Sequence, residues 1–344
     1  MSEMKLSHDV EKVKNRDNKS ELSIFSLHPE LFLAADVAYP DQVKYLTLNL
    51  YFDDYDLNLR TQIFDHYAKC TKDVYGTKCS PEWPLFLDED ICSYIVNFHN
   101  VQVLKAKDLN LSTKIWLEFI KNSKNLKEII FSSNGCGDYD NFMFEDKIEV
   151  LETLFKIPTL EKVKIEWMQL YYFPSGPSNI KHLELDAVMA ENEDLRKLHS
   201  DSWKTNFSTH TNITSLYLKH RKPTPYHLKD LRFDKMVQLE KIVLENWNNE
   251  YIEPVLMLPN LKRFEFTMWY DPTDPLMKNL IKNPDAIFAS VEHIVIKVTN
   301  FPSGSDLSKA KKYLRVVLSK QCINLKSFTF KYTDSYRDED NDTH

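Results

Sequence analysis

Three histidines form the densest group of potential metal ligands in the sequence: His210, His220 and His227. A structural zinc site takes four cysteine or histidine ligands, usually at short spacings. No cysteine lies near these histidines in the sequence. We therefore predict that they belong to a solvated loop and that the chain has no metal site.

The five cysteines give no sign of a disulfide framework. They are odd in number, contain no C-x-x-C pair and follow no apolar N-terminal segment that resembles a signal peptide. Cys70 and Cys79 lie in a polar stretch and could form a redox pair, but ordinary free thiols are the interpretation we favour. Reduced thiols predict a cytoplasmic or nuclear protein.

Sequence motifs for catalysis and phosphate binding are absent. The five glycines match neither G-x-x-x-x-G-K nor G-x-G-x-x-G, and the sequence contains neither H-E-x-x-H nor G-x-S-x-G. We predict no cofactor and no catalytic residue, so the chain is not expected to be an enzyme.

The remaining candidate residues are of types that bind protein partners. Arg221, Trp247 and Trp269 each stand eight positions after the start of an apolar motif, and arginine and tryptophan are enriched among the residues that dominate protein interfaces. In an extended chain alternate residues share a face, so positions four and six residues after each start would line the same surface. These positions hold further candidates for partner binding: Tyr217, Lys219, Glu245 and Glu265. If the strands end earlier, the two tryptophans would instead pack as core.

The apolar motif that would position these residues recurs ten times. It has the form L-x-x-L-x-L, with Val, Ile or Phe also allowed and Ala once, at Ala106, and begins at Val43, Val101, Leu126, Leu160, Ile180, Ile213, Leu239, Leu261, Val291 and Leu325. The mean spacing from Val101 to Leu325 is 28 residues. A period of this size with this core is typical of a solenoid.

Each copy predicts a short strand. Its last two apolar positions differ by two, so they point to one face of the strand and into a core. An asparagine or glutamine precedes several copies, for example Asn179 and Asn260. A short amide suits the turn that enters a strand, where it can bond to nearby backbone.

Several segments between the copies predict helices. The clearest are Ser112 to Ser123, Phe144 to Ile157 and Ser305 to Gln321, where apolar residues recur at helical spacing. Strand followed by helix predicts a parallel sheet with crossovers. The prediction is an α/β solenoid of about 10–11 repeats, with a curved parallel sheet on the concave side and helices and irregular segments on the convex side. One connection, 165–180, is expected to be irregular.

The composition of the chain predicts its domain limits and the classes of partner that it disfavours. Residues 1–24 are polar and predict a flexible tail, 25–333 form the repeat domain, and 334–344 are acidic and predict a disordered tail. The formal charge of −7 without a basic stripe does not favour nucleic acid as a partner. No apolar run approaches the length that a membrane-spanning helix needs, so we expect no membrane association.

Over residues 40–332 the chain resembles a leucine-rich repeat protein. The copy LKEIIFSSN, from Leu126 to Asn134, extends to the family form L-x-x-L-x-L-x-x-N. Other copies carry Met168, Trp247 or Trp269 where the family has asparagine. Because they lack this asparagine and are irregularly spaced, these repeats resemble the divergent repeats of intracellular adaptors, particularly those of fungal F-box proteins.

The resemblance implies a non-enzymatic scaffold that binds a protein partner on its concave sheet. An alternative follows from Ser23 to Pro40, whose L-x-P-E-L fragment is similar to the start of an F-box. That alternative is a substrate-recognition subunit of a ubiquitin ligase, with a cullin adaptor as its partner.

Overall fold

The structure is a computed structural model of the chain. It describes residues 21–24, 45–49, 99–107, 113–132, 148–168, 172–187, 201–219, 231–247, 252–269, 283, 285–299 and 307–333. The chain divides into two compact units, Met1–Asn134 and Gly135–His344. We call these unit 1 and unit 2.

Within its described residues, unit 1 contains four parallel strands, each paired with the next in chain order: β1 (Glu21–Ile24), β2 (Tyr45–Asn49), β3 (Val103–Lys107) and β4 (Glu128–Ser132). Helix α1 (Thr113–Asn122) connects β3 to β4, as parallel neighbours require a crossover. Its Trp116 ring packs edge-on against Phe131 of β4, with the ring centroids 5.2 Å apart. The apolar face of α1 and one face of β4 therefore share a core.

Strand β1 differs from the sequence prediction. It lies at the end of the segment 1–24, which was predicted to be a flexible tail, and it pairs in parallel with β2 from Glu21↔Tyr45 to Ile24↔Leu48. The tail prediction is wrong for these four residues, because Leu22 and Ile24 alternate with polar residues as in a short strand. Residues 1–20 lie outside the described part, as do 334–344.

Unit 2 has seven strands in its described part. Each pairs in parallel with the next: β5 (Lys162–Met168), β6 (His182–Ala187), β7 (Ser215–Lys219), β8 (Lys241–Trp247), β9 (Arg263–Trp269), β10 (His293–Thr299) and β11 (Ser327–Thr333). Its helices are α2 (Ile148–Phe155), α3 (Glu253–Leu256) and α4 (Leu307–Gln321), and residues 201–206 are also helical.

The strand prediction is confirmed for all ten copies of the motif. Every one of the ten strands β2–β11 begins two residues after the first apolar residue of its copy. The predicted helices are also found: α1, α2 and α4 each lie within the segments assigned to them. Motif, strand order and parallel pairing together confirm the α/β leucine-rich repeat solenoid as the fold class.

Burial follows the motif. Buried and half-buried residues alternate along β7 and along β10 up to Val298, and the inward positions Leu183 and Leu185 of β6 are fully buried. The last copy is less covered, since Leu325 and Phe328 are only half-buried. The part of the chain that the structure describes places no strand beyond β11 to cover them.

The connection predicted to be irregular is indeed without helix or strand from Tyr172 to Lys181. Phe173 is fully buried there, with its ring 4.8 Å from that of Trp203 and 5.0 Å from that of Phe207, between centroids. Gly176 lies against Thr209, and an added Cβ would meet the Thr209 carbonyl carbon and oxygen at 2.9 Å. An aromatic side chain and a close backbone approach thus hold this segment without regular backbone bonding.

A ladder of asparagines precedes the strands. Asn179, Asn212, Asn260 and Asn324 each donate a side-chain hydrogen bond to a backbone carbonyl in the preceding repeat, namely those of Pro158, Ser178, Val237 and Ala289, at 2.7–2.8 Å. The amides bond to backbone as predicted, but to carbonyl groups of the preceding repeat rather than within the turn that enters their own strand. The family's asparagine ladder follows the strand, whereas this chain has one before it.

His210 contradicts the prediction of a solvated histidine loop. It is fully buried, and its Nε2 donates to the carbonyl oxygen of Pro174 at 2.9 Å, so its Nδ1 accepts from the Ser178 hydroxyl at 2.8 Å. Burial lowers the pKa of His210. A neutral imidazole satisfies both neighbours inside the core, which sequence spacing alone could not indicate. His220 and His227 lie outside the described residues.

Candidate functional site

The outward side chains of β5–β11 form a surface that we call the polar face. The strand registers align its residues in three rows. The first row is Lys162, His182, Ser215, Lys241, Arg263, His293 and Ser327, and the second is Lys164, Glu184, Tyr217, Val243, Glu265, Val295 and Thr329. The third row has two parts, Glu166, Asp186, Lys219 and Glu245 on β5–β8 and Thr267, Lys297 and Lys331 on β9–β11, because the register shifts between Leu244 and Trp247 of β8. Charged and other polar side chains dominate these rows, with Tyr217 among them, because the larger apolar residues of each strand point into the core.

A hydrogen bond joins two predicted site residues across β7 and β8. Tyr217 Oη donates to Glu245 Oε2 at 2.9 Å, although the two residues are 28 positions apart in sequence. Burial and the charge of Glu245 raise the pKa of Tyr217, and the charges of Asp186 and Glu184 act in the same direction. The phenol therefore stays protonated at neutral pH and acts as a fixed hydrogen-bond donor.

Ion pairs hold the charged neighbours of Tyr217. Lys219 Nζ lies 3.5 Å from Asp186 Oδ2, and both side chains are at least four-fifths buried. Lys164 Nζ lies 2.7 Å from Glu166 and 3.4 Å from Glu184. Burial lowers the pKa of Lys164, but the hydrogen bonds and charges of Glu166 and Glu184 together more than offset this and raise it.

Strand β9 repeats this pattern. Arg263 Nε lies 2.7 Å from Glu265 Oε1, which stands in register with Val243 of β8. Val243 is itself only 7% exposed despite its outward position. The centre of the polar face is thus a packed surface in which the charges are fixed by partners on the same or a neighbouring strand.

The structure places four predicted site residues together on the polar face: Tyr217, Lys219, Glu245 and Glu265. Arg221 lies outside the described residues. The backbone of Trp247 ends β8 and that of Trp269 ends β9, while their side chains lie outside the described part. Whether any of these residues contacts a partner stays a prediction.

The tryptophan row is less regular than the motif spacing predicts. A register shift between Leu244 and Trp247 places Trp247 opposite Met268, whereas Trp269 stands opposite Thr299. A similar irregularity places Met168 opposite Ala187. Counting residues from the motif start cannot reveal such a shift, because one strand gains a residue relative to its neighbour.

Sequence reasoning missed Asp186 and Arg263 as parts of this surface. Both alternate with buried apolar residues of their strands, so extending the same row counting to β6 and to the first row would have found them. Their partners, Lys219 and Glu265, were already candidates.

Glu152 is the carboxylate with the most distinctive surroundings away from the polar face. It accepts hydrogen bonds from Tyr172 Oη and from the backbone N–H and hydroxyl of Ser175. Burial raises its pKa, but these bonds and one from Lys156 together lower it to about 2. A carboxylate that is ionised at every physiological pH cannot donate a proton, so its role is to hold the segment 172–181 on α2.

No group of three or more His, Cys, Asp or Glu side chains in the described residues could hold a metal ion. Among those residues, no helix has both the length and the apolar character to cross a membrane. Cys322 is buried with a free thiol, and burial raises its pKa to about 12, whereas Cys70 and Cys79 lie outside the described residues.

No protein-family model matches the chain, and no curated protein matches it. Among solved structures, internalin C2 from Listeria monocytogenes is similar at 13% sequence identity, covering 76% of this chain and 91% of that chain with a TM-score of 0.35. The fold class of this chain rests on its own motif, strand order and registers.

Proposed function

We propose that this chain is a non-enzymatic protein-interaction scaffold that binds a protein partner through the polar face of unit 2. The observation that carries the proposal is the cross-strand network of Tyr217 with Glu245 and Lys219 with Asp186. It presents aromatic and charged groups in fixed positions on a sheet whose other face is the core.

Fixed side chains favour binding because a partner need not immobilise them. Ordering a long side chain at an interface costs about 0.5–1.5 kcal/mol. Tyr217, Lys219 and Glu265 are already held by bonds to their neighbours or to Arg263. The mixture of an aromatic ring with both signs of charge is that of a protein interface rather than of a phosphate or nucleic-acid site.

The C-terminal ends of β8 and β9 would supply the anchors. Trp247 and Trp269 end these strands, and Arg221 follows β7 two residues after its end. In this proposal the three residues border the polar face where the strands end, and the partner buries them. A reducing compartment, cytoplasm or nucleus, is the location we propose.

The alternative function is a substrate-recognition subunit of a ubiquitin ligase. It depends on the F-box-like residues 23–40, of which 25–40 lie outside the described part. In that case the polar face would bind the substrate, and a cullin adaptor would co-purify with the chain. Loss of that adaptor on replacement of residues 27–31 would distinguish the two functions.

Site-specific cross-linking tests the proposed surface. A photo-reactive benzoylphenylalanine replaces Lys241, which is exposed on the polar face, and in a second variant it replaces Lys235, which is 58% exposed on a short 3-10 helix. We expect a specific cross-linked partner at 241 and none at 235. A partner captured at 235 and absent at 241 would place the binding surface elsewhere.

A further inference from the structure

Two lysines stand opposite each other at the end of the polar face. Lys297 of β10 and Lys331 of β11 are register partners in adjacent parallel strands, about 4.8 Å apart in backbone spacing. Within the described residues neither forms an ion pair or hydrogen bond with its side chain. Like charges directly opposite each other on one sheet face are destabilising.

Other like-charged neighbours on the polar face are compensated. Lys241 stands in register with Arg263, but Arg263 is paired with Glu265. Glu166 stands in register with Asp186, and each of these has a lysine partner. The Lys297–Lys331 pair is therefore the exception in the described part of this surface, and an acidic ligand would relieve its repulsion.

We propose that the acidic segment 334–344 of this same chain docks on the polar face at β10 and β11, with its carboxylates against Lys297 and Lys331. The segment, DSYRDEDNDTH, carries five acidic residues and one arginine. It begins three residues after Lys331, directly beyond the end of β11. Charge and position thus both bring it to this pair of lysines.

The chain length permits this contact. Eleven residues span at most about 36 Å when extended, whereas neighbouring strands lie about 4.8 Å apart. The segment can therefore turn back over β11 and β10 and reach the middle of the polar face. The segment 334–344 then covers part of the polar face and competes there with any acidic ligand. This consequence goes beyond the binding of a protein partner.

Peptide competition in the full chain tests the proposal. The probe is a fluorescent synthetic peptide with the sequence of 334–344, and its binding is followed by anisotropy. It is titrated with the wild-type chain and with a full-length neutralised chain, in which the five acidic residues of 334–344 are replaced by Asn or Gln. A tethered segment at an effective concentration of about 1 mM would weaken a peptide with a Kd of about 0.1 mM roughly tenfold.

We therefore expect the neutralised chain to bind the peptide about tenfold more tightly than the wild type. Adding Lys297→Glu and Lys331→Glu to the neutralised chain should abolish binding. Adding Lys204→Glu and Lys235→Glu, which alter two exposed lysines off the polar face, should leave it intact. If circular dichroism shows the Glu variant unfolded, Lys297→Gln with Lys331→Gln replaces it in the same comparison.

Two results would overturn the proposal. The first is equal binding by wild-type and neutralised chains, or no binding by either, since the segment then does not occupy this surface. The second is binding by the neutralised chain that survives loss of both lysines in a folded variant.

Discussion

Tyr217 and Glu245 stand on adjacent strands one repeat apart, and the Tyr217 hydroxyl donates to the Glu245 carboxylate at 2.9 Å. The bond runs diagonally across the two strands, because the motif places Tyr217 in register with Val243 and Glu245 in register with Lys219. It fixes two outward side chains of neighbouring repeats relative to each other on the polar face.

Removing this donor should destabilise unit 2. Tyr217→Phe leaves Glu245 without it, which costs about 1.5–3 kcal/mol of unfolding free energy for a bond to a charged group. Urea unfolding measures this, with Tyr313→Phe as the matched control because Tyr313 is 46% exposed. An equal cost in both variants would contradict the role of the bond.

Because the pKa of Tyr217 is raised, its contribution to the free energy of unfolding depends on pH. The unfolded phenol ionises near pH 10, whereas the folded one does so at higher pH. The stabilisation is therefore fully present below pH 10 and is lost as the pH rises above that value. The stability difference between wild type and Tyr217→Phe should shrink in this range, and a difference that stays constant would be incompatible with this account.

The asparagine ladder gives a prediction with an internal control. Asn212→Ala and Asn260→Ala each remove a bond to a carbonyl of the preceding repeat, and each should cost about 1 kcal/mol. Gln238 occupies the equivalent position before Leu239, and its side chain forms no bond within the described residues, so Gln238→Ala should change stability by less than about 0.5 kcal/mol. Chemical denaturation of the three variants decides the matter, and indistinguishable midpoints would argue against the ladder.

Gly176 should not tolerate a side chain. Gly176→Ala brings a Cβ to 2.9 Å from the backbone of Thr209, and we expect a cost of about 1–3 kcal/mol, typical of overpacking. Since the carbonyl group belongs to the backbone, Thr209→Ala should not restore stability in the double variant. Thermal unfolding of both variants tests this, and full recovery would show that only the Thr209 side chain stands in the way.

The burial of His210 leads us to expect that the folded chain loses stability at acidic pH. Its pKa is lowered by burial, so above pH 6.5 neither the folded nor the unfolded form is protonated at this residue. As the pH falls below 6.5, the unfolded chain takes up a proton that the folded chain excludes, and stability falls by up to about 1.4 kcal/mol per pH unit.

The test compares unfolding midpoints at pH 7.5 and pH 5.5. His210→Gln should be less stable at pH 7.5, because it disturbs the bonds to Ser178 and Pro174, but its stability should depend less on pH. His293→Gln, at a 39% exposed side chain, is the control for replacing a histidine by glutamine outside the core. An unchanged slope in His210→Gln would show that His210 is not the group responsible.

The sequence predicts the strands well and the polar face in part. Strand starts follow from the motif because each copy must bury the same three apolar positions, whatever the connections do. The register shift after Leu244 and the burial of His210 could not be predicted. Both depend on packing between repeats, and the spacing of residues within one repeat gives no information about that packing.

The most direct test of the proposed function is quantitative affinity capture from a native extract. Baits are the wild-type chain, the variant Tyr217→Ala with Glu245→Ala, and the control Lys204→Ala with Lys235→Ala, each shown to be folded by circular dichroism. The account predicts a protein partner that wild type and control retain and the polar-face variant loses. The same partner retained by all three folded baits would contradict it.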